Sequence, residues 1–394
     1  EAKERTEESQ REEQEIIDEL GALINSTTGG TSGGGGGNPP ETQTVADVKP
    51  GASDTVTALS STETTTLEDD YGNVVKVPKG FGIAEASGTK VTEGIVIEDA
   101  THEGTTKGSQ FVWVPVGTIY TNTAKTTTKT ITLGRYEFES DGTATPVQTQ
   151  TGTSYVATNS TNYILYSDGY SDYSMYEFAN DTESQAIKST TYGNTKAKNL
   201  SGFVESVLSN GGYYIARYEA GISGTTSSTT ASTLADGSTS KNSSSAAQIV
   251  TKSGVGVWNY INQGNAATVC QSMYNTNSDK VTSDLINSYA WDTAIVFIQK
   301  CGSNSNYANK TRLQSTLTTT GNASDGTNKD VQCGIYDMAG NVSEWSTETY
   351  SYTSFPCSVR GGLCGISDCC TARRTNNNTS NAGANIGFRP LLYL

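Results

Sequence analysis

Near the C-terminus the chain reads GIYDMAGNVSEW from Gly334 to Trp345, VRGG from Val359 to Gly362, and NIGFRPLL from Asn385 to Leu392. Each stretch joins glycines, which permit turns and backbone approaches that a Cβ forbids, to a large or charged anchor. Trp345 and Phe388 have the size of core anchors. Arg360 and Arg389 carry planar forks suited to backbone carbonyls or to Glu344. Upstream, FVWVPVG begins at Phe111 and ARYE covers Ala216 to Glu219.

Working outward, short apolar runs bounded by Gly and Pro predict buried strands: VVKV (Val74 to Val77), IVI (Ile95 to Ile97), FVWVPV (Phe111 to Val116) and YYIARYEAG (Tyr213 to Gly221). Apolar residues at helical spacing predict helices from Trp258 to Tyr274 and from Ser283 to Cys301, the second ending at Gly302. Ser/Thr/Asn/Gly-rich stretches near 118–160 and 223–247 read as surface loops or hairpin extensions. The fold class is α+β, with few helices and much irregular chain, and the head is expected to run over residues 67–394.

Ahead of the head, Ile16, Ile17, Leu20, Leu23 and Ile24 recur at helical spacing behind an acidic stretch, so residues 1–24 read as a helix. Residues 25–66 contain TTGGTSGGGGGNPP and read as a flexible linker, too poor in apolar side chains to fold. An apolar membrane anchor of about 20 residues is expected upstream of Glu1 in the native protein.

Composition narrows the function. The single histidine, His102, sits in a polar context with no nucleophile motif nearby, so a histidine-based triad or a His-rich zinc site has no material. With 26 Lys+Arg against 41 Asp+Glu, the net charge of −15 and the lack of a basic run exclude a nucleic-acid partner. Hydrophobic content of 34% and 41 glycines indicate a loop-rich chain of cell-surface or extracellular type.

The ordered set of C-terminal motifs, with FVWVPVG and ARYE, resembles the formylglycine-generating-enzyme, or sulfatase-modifying-factor, family, from about residue 67 to the end. That resemblance implies a C-type-lectin-like domain. It also implies a structural calcium ion at the GN-x-x-E segment, with the Asn341 and Glu344 side chains and the Val342 carbonyl as oxygen ligands. The alternative has Asn341 capping a turn and Glu344 pairing with an arginine.

Seven cysteines, Cys270, Cys301, Cys333, Cys357, Cys364, Cys369 and Cys370, leave at least one unpaired within a monomer. Cys364 and Cys369 have the C-x4-C spacing of the copper-binding pair in the oxidase members of the family. However, the segment between the RGG and GFR motifs is shorter here than in those members. A four-thiolate zinc site is a further alternative.

The same segment resembles the hypervariable stretch of diversity-generating retroelement variable proteins, in which adenines of Asn codons are randomised. Such codons never yield Lys, Glu, Gln, Met or Trp, and LCGISDCCTARRTNNNTSNAGAN, residues 363–385, contains none of them. On that reading Leu363, Cys364, Ile366, Asp368, Cys369, Arg374, Asn376, Asn377, Asn378 and Asn381 contact ligand, and replacing Leu363, Ile366, Asp368 and Arg374, as exposed residues, changes the ligand bound while leaving stability unchanged. The segment EAKERTEESQREEQEIIDEL resembles the region after the membrane helix of type IV pilin-like surface proteins. Together these imply a surface-displayed adhesin that binds an extracellular protein or glycan, with pilus subunits as partners of the N-terminal helix. A copper-dependent oxidase of peptide cysteine is the enzyme alternative, and a structural minor pilin the third.

Overall fold

The computed structural model describes residues 42–102, 106–149, 175–176, 194–245, 248–311, 314–350, 354–366 and 369–394. The pilin-like helix of residues 1–24 and the glycine run fall outside them. Thr42 to Leu394 form one compact unit, so the stretch 42–66, read above as linker, belongs to the head. A four-residue helix, Val45–Val48, is fixed there by a capping box in which Thr44 and Asp47 satisfy each other's backbone N–H groups. Val45 is fully buried, and Gln43 accepts the Glu68 N–H at 3.1 Å. Val48 and Leu59 also pack against the core and the Leu59 N–H donates to the Phe81 carbonyl at 3.0 Å, so a few anchors dock a segment whose composition reads as unstructured.

Two sheets organise the head. The larger has six antiparallel strands in the order Thr282–Leu285, Pro390–Tyr393, Gly212–Ala216, Gln110–Pro115, Val96–Asp99, Phe81–Ile83. The Gly212–Ala216 strand is buried throughout, which is why it reads as a continuous apolar run rather than an alternation. The second sheet pairs Ser343–Tyr350 with Cys357–Arg360 and that strand with Arg374–Asn377, all antiparallel. Ile386–Phe388 joins it in parallel beside Ser343–Trp345.

The helix Ser288–Cys301, buried from Ser288 to Ile298, lies against Gln110–Pro115 and the strand Gly134–Phe138. Leu200–Asn210 packs on Gly212–Ala216 and Pro390–Tyr393, with Phe203 edge-on to Tyr213 and Tyr393 at centroid distances of 5.4 and 5.5 Å. Trp113, Trp258, Trp291 and Trp345 are fully enclosed. Each contributes on the order of 4–6 kcal/mol of gross apolar burial.

Both predicted helices are shorter than their periodicity suggests. Asn287 caps the second one by accepting the Ala290 N–H, and residues 283–285 before it are strand. The first spans Gln263–Gln271, capped by Asn262. In both cases an asparagine side chain competes with the preceding backbone and sets the start. Part of the 118–160 stretch forms two hairpins, Gly117–Tyr120 with Thr128–Ile131 and Gly134–Phe138 with Ala144–Thr149. No helix among the described residues is long and apolar enough to cross a membrane.

His102 fastens the short helix Thr276–Asp279 to the sheet. Its Nδ1 lies 2.8 Å from Asp99 and its Nε2 3.1 Å from Asp279, while the Tyr274 hydroxyl donates to Asp99 at 2.9 Å. The Asp99 hydrogen bond lifts His102 to about 9 against the opposing effect of burial, and Asp279 adds to the lift. Because the folded pKa exceeds the unfolded value, this clamp is fully stabilising below about pH 6.5 and is lost as pH rises through about 9. The thermal midpoint is therefore expected to fall between pH 7 and 10. Replacing His102 with glutamine should remove that part of the pH profile, and an unchanged profile in the variant would refute the clamp.

Candidate functional site

The candidate site is the outer face of residues 363–385. After Gly362 the chain makes a tight turn in which Leu363 and Ile366 bridge each other. Gly361 has φ of 78°, and a Cβ on Gly362 would overlap the Ala339 carbonyl oxygen, so the VRGG motif is a place where two backbones touch. The turn presents Ile366, 47% exposed, at the mouth of a cavity of about 340 Å³. Thr230, Ser315, Leu317, Cys364 and Asn385 line the same cavity. The Cys364 Sγ lies 3.7 Å from Asn385 Oδ1, which brings the two ends of the segment together.

Between those ends the segment dives inward. Cys370 bridges to Thr311, Thr371 donates to the Lys310 carbonyl, and Ala372 donates to that of Ala308. The strand Arg374–Asn377 then runs beside Cys357–Arg360. Asn377, Asn378 and Asn381 are half-buried on the return loop, while Thr379 and Ser380 are exposed. Asn381 donates to the Asn377 side chain at 2.8 Å.

The loops beside the return are tied to it. Asn259 donates to the Ala384 carbonyl at 2.7 Å and to that of Thr229 at 3.0 Å. It also accepts from the Lys241 ammonium at 2.9 Å. A second cavity of about 410 Å³, lined by Ile222, Thr229, Leu234, Lys241 and Val257, opens beside this junction.

Two buried charged groups hold the site from behind. Arg360 and Arg374 reach Asp292 at 2.5 and 2.6 Å, and Glu348 receives Arg374 at 3.1 Å, Arg360 at 3.4 Å and also Arg135. All five side chains have no exposed surface. Burial works to raise the Asp292 and Glu348 carboxyls, but the facing arginines outweigh it and hold both below the usual carboxylate range. Arg374 is thus a structural member of the core. The expectation that it is an exposed ligand contact, replaceable without loss of stability, is corrected.

The second group centres on Arg389, which reaches Glu344 at 2.7 and 2.9 Å and the carbonyls of Ala216 and Tyr336 at 2.9 and 2.8 Å. Glu219 accepts from the Asn341 amide at 2.6 Å and from the Val342 N–H at 3.1 Å. Burial, and then Asp330, push Asp337 up to about 8, and burial followed by the Asp337 charge pushes Glu219 well up.

Asn341, Val342 and Glu344, expected as calcium ligands, are brought together but engaged with protein partners. The Asn341 Oδ1 accepts the Thr318 N–H at 2.9 Å, and both Glu344 oxygens are taken by Arg389. Glu344 thus pairs with an arginine, as in the alternative reading, while the Asn341 side chain reaches Thr318 and Glu219, 23 and 122 residues away.

Of the other expected contact residues, Leu363, Cys364, Cys369 and Asn376 are largely buried, at 7, 6, 4 and 8% exposure, and Asp368 falls outside the described residues. Burial, with Glu219 adding, raises the Cys364 thiol, which disfavours the reactive thiolate. Thr230, Ser315 and Leu317 were not anticipated, because nothing in a low-complexity stretch marks which residues fold over a distant segment.

Residues 282–392 match the model of the sulfatase-modifying factor enzyme 1-like domain. That span includes GIYDMAGNVSEW, VRGG and NIGFRPLL, and the family resemblance read from those motifs stands. Among solved structures the chain is similar to CarF, at 16% identity and a TM-score of 0.31, over 46% of this chain and 86% of that one. It is also similar to the Major Tropism Determinant I1 variant, at 14% identity and a TM-score of 0.28, over 89% and 98% of the two chains. A third is the Treponema denticola variable protein 1, at 13% and 0.29, over 74% and 98%. At these TM-scores none of the three bears on function. No curated relative matches the chain.

Proposed function

We propose that the head is the ligand-binding domain of a surface-displayed, adhesin-like protein with a C-type-lectin-like fold, and that residues 363–385 vary as in a retroelement variable protein. The observation that carries this reading is the division of labour inside the segment. Arg374 and Cys370 are locked into the core, whereas Ile366 and Asn385 meet at an open cavity and Thr379 and Ser380 stand exposed on the loop between. Recognition loops on a rigid scaffold have this form. The ligand is an extracellular protein or glycan, and the chain is held at the cell surface by an upstream anchor, with pilus subunits contacting residues 1–24.

The head, screened against a glycan array and a displayed peptide library, is expected to retain a target. Lysine at Ile366, Thr379 and Asn385 together should abolish capture while shifting the thermal midpoint by no more than about 1–2 °C, as exposed positions do. Capture unaffected by the three lysines would overturn the assignment. Copper-dependent conversion of a peptide cysteine to an aldehyde, lost in Cys364→Ser, would replace it with the oxidase. A neighbouring reverse transcriptase gene with an Asn-codon-rich template copy is expected at the locus.

A further inference from the structure

Cys333 occupies an unusual place. It and Gly334 form the two-residue loop of the hairpin that pairs Val331–Gln332 with Ile335–Tyr336, with φ of 46° and 78°. Left-handed backbone at both loop positions is the geometry that Asn-Gly or Asp-Gly supplies at least strain, and a cysteine at the first gains nothing from turn chemistry. Its neighbours give a different reason for a thiol there.

Cys301 is the last residue of the helix Ser288–Cys301, and the chain leaving it runs alongside the hairpin. The Ser303 N–H and hydroxyl both donate to the Gln332 side chain at 3.1 Å. A Cβ on Gly302, the residue next to Cys301, would stand 3.3 Å from the Cys333 Sγ. The two thiols lie close enough that charge on Cys301 is felt at Cys333, and Lys129 acts on both. Cys270 and Cys357, by contrast, are completely enclosed, whereas Cys301 is partly open to solvent.

We propose that Cys301 and Cys333 are a modification site, joined by an intramolecular disulfide that pins the end of the long helix to the hairpin leading into GIYDMAGNVSEW. The oxidant is a small-molecule or protein disulfide. One protein thiolate attacks a sulfur of that disulfide and expels a thiolate, giving a mixed disulfide. The second protein thiolate then displaces the remaining half and forms the Cys301–Cys333 bond. The protein gives up two protons and two electrons, and the reagent leaves as two thiols. Lys129 favours the attacking thiolate, opposing the burial that lifts Cys301 to about 11.

The full chain, incubated with oxidised glutathione at mildly alkaline pH and digested without reduction, should yield the Cys301 peptide linked to the Cys333 peptide, two hydrogens lighter than their sum. The oxidised chain should melt about 5 °C or more above its reduced form, since the bond closes a loop of some thirty residues. The Cys333→Asn variant keeps a residue suited to left-handed backbone. It should fold, lose that upward shift and carry glutathione on Cys301. Cys301 and Cys333 recovered as separate alkylated or glutathionylated peptides from the wild-type chain, or either linked to a different cysteine, would overturn the proposal. No readout here depends on ligand binding.

Discussion

Replacing Glu348 with glutamine should lower the folding free energy of the head by about 3–5 kcal/mol, the range for removing one partner of a buried ion pair. Glu348 faces Arg135, Arg360 and Arg374, and with Asp292 it sets two negative charges against three positive ones, all without exposed surface. The substitution leaves three guanidinium groups facing a single carboxylate where water cannot screen them. Because the folded pKa of Glu348 is depressed, its contribution is present above the ordinary value of 4.5 and is lost as pH falls through the folded pKa. Urea unfolding at neutral and acidic pH checks both parts. A variant within 1 kcal/mol of wild type at pH 7, or one whose deficit stays constant into acid, would show that the network is not holding the fold.

The second large effect is expected at Arg389, the cation facing Glu344, Glu219 and Asp337. Arg389→Met should also lose about 3–5 kcal/mol at pH 8, and much less at pH 5. With the guanidinium gone, the buried carboxyls are left to protonate. Groups whose folded pKa is raised destabilise progressively as pH climbs from the unfolded value through the folded one, here about 8 for Asp337. Arg389→Lys keeps a charge but loses the fork that reaches Glu344 and two backbone carbonyls together, so it should fall between. Equal losses at both pH values in Arg389→Met would assign the effect to packing alone.

The two networks explain what was legible in the sequence and what was not. Val74–Val77 is a strand as read, because β-branched residues at alternate positions have one good solution. Leu285 and Ile286 satisfy the helical and the strand period equally, and the choice is made by the Asn287 cap and by pairing with the final strand. Arg374 sits in a run of Cys, Thr and Asn that looks like a surface loop. Its partners Glu348 and Asp292 lie 26 and 82 residues away, so no local pattern marks it as core. Asn341 likewise meets Glu219 across 122 positions. The motif residues Trp345, Phe388 and Arg389 were visible as anchors because their size and charge require a buried partner wherever the chain goes.

Pro390–Tyr393 holds an interior place in the six-stranded sheet, between Thr282–Leu285 and Gly212–Ala216. On the ribosome, therefore, every earlier strand emerges into a sheet that lacks an inner member. Two rows of unpaired backbone N–H and C=O groups stay open until residues 390–393 have been made, and closure is a late, long-range event for this sheet. A stop before Pro390 leaves the sheet in two pieces, the strand Thr282–Leu285 on one side and the four strands from Gly212–Ala216 to Phe81–Ile83 on the other, so the sheet itself reports that residues 390–393 were made.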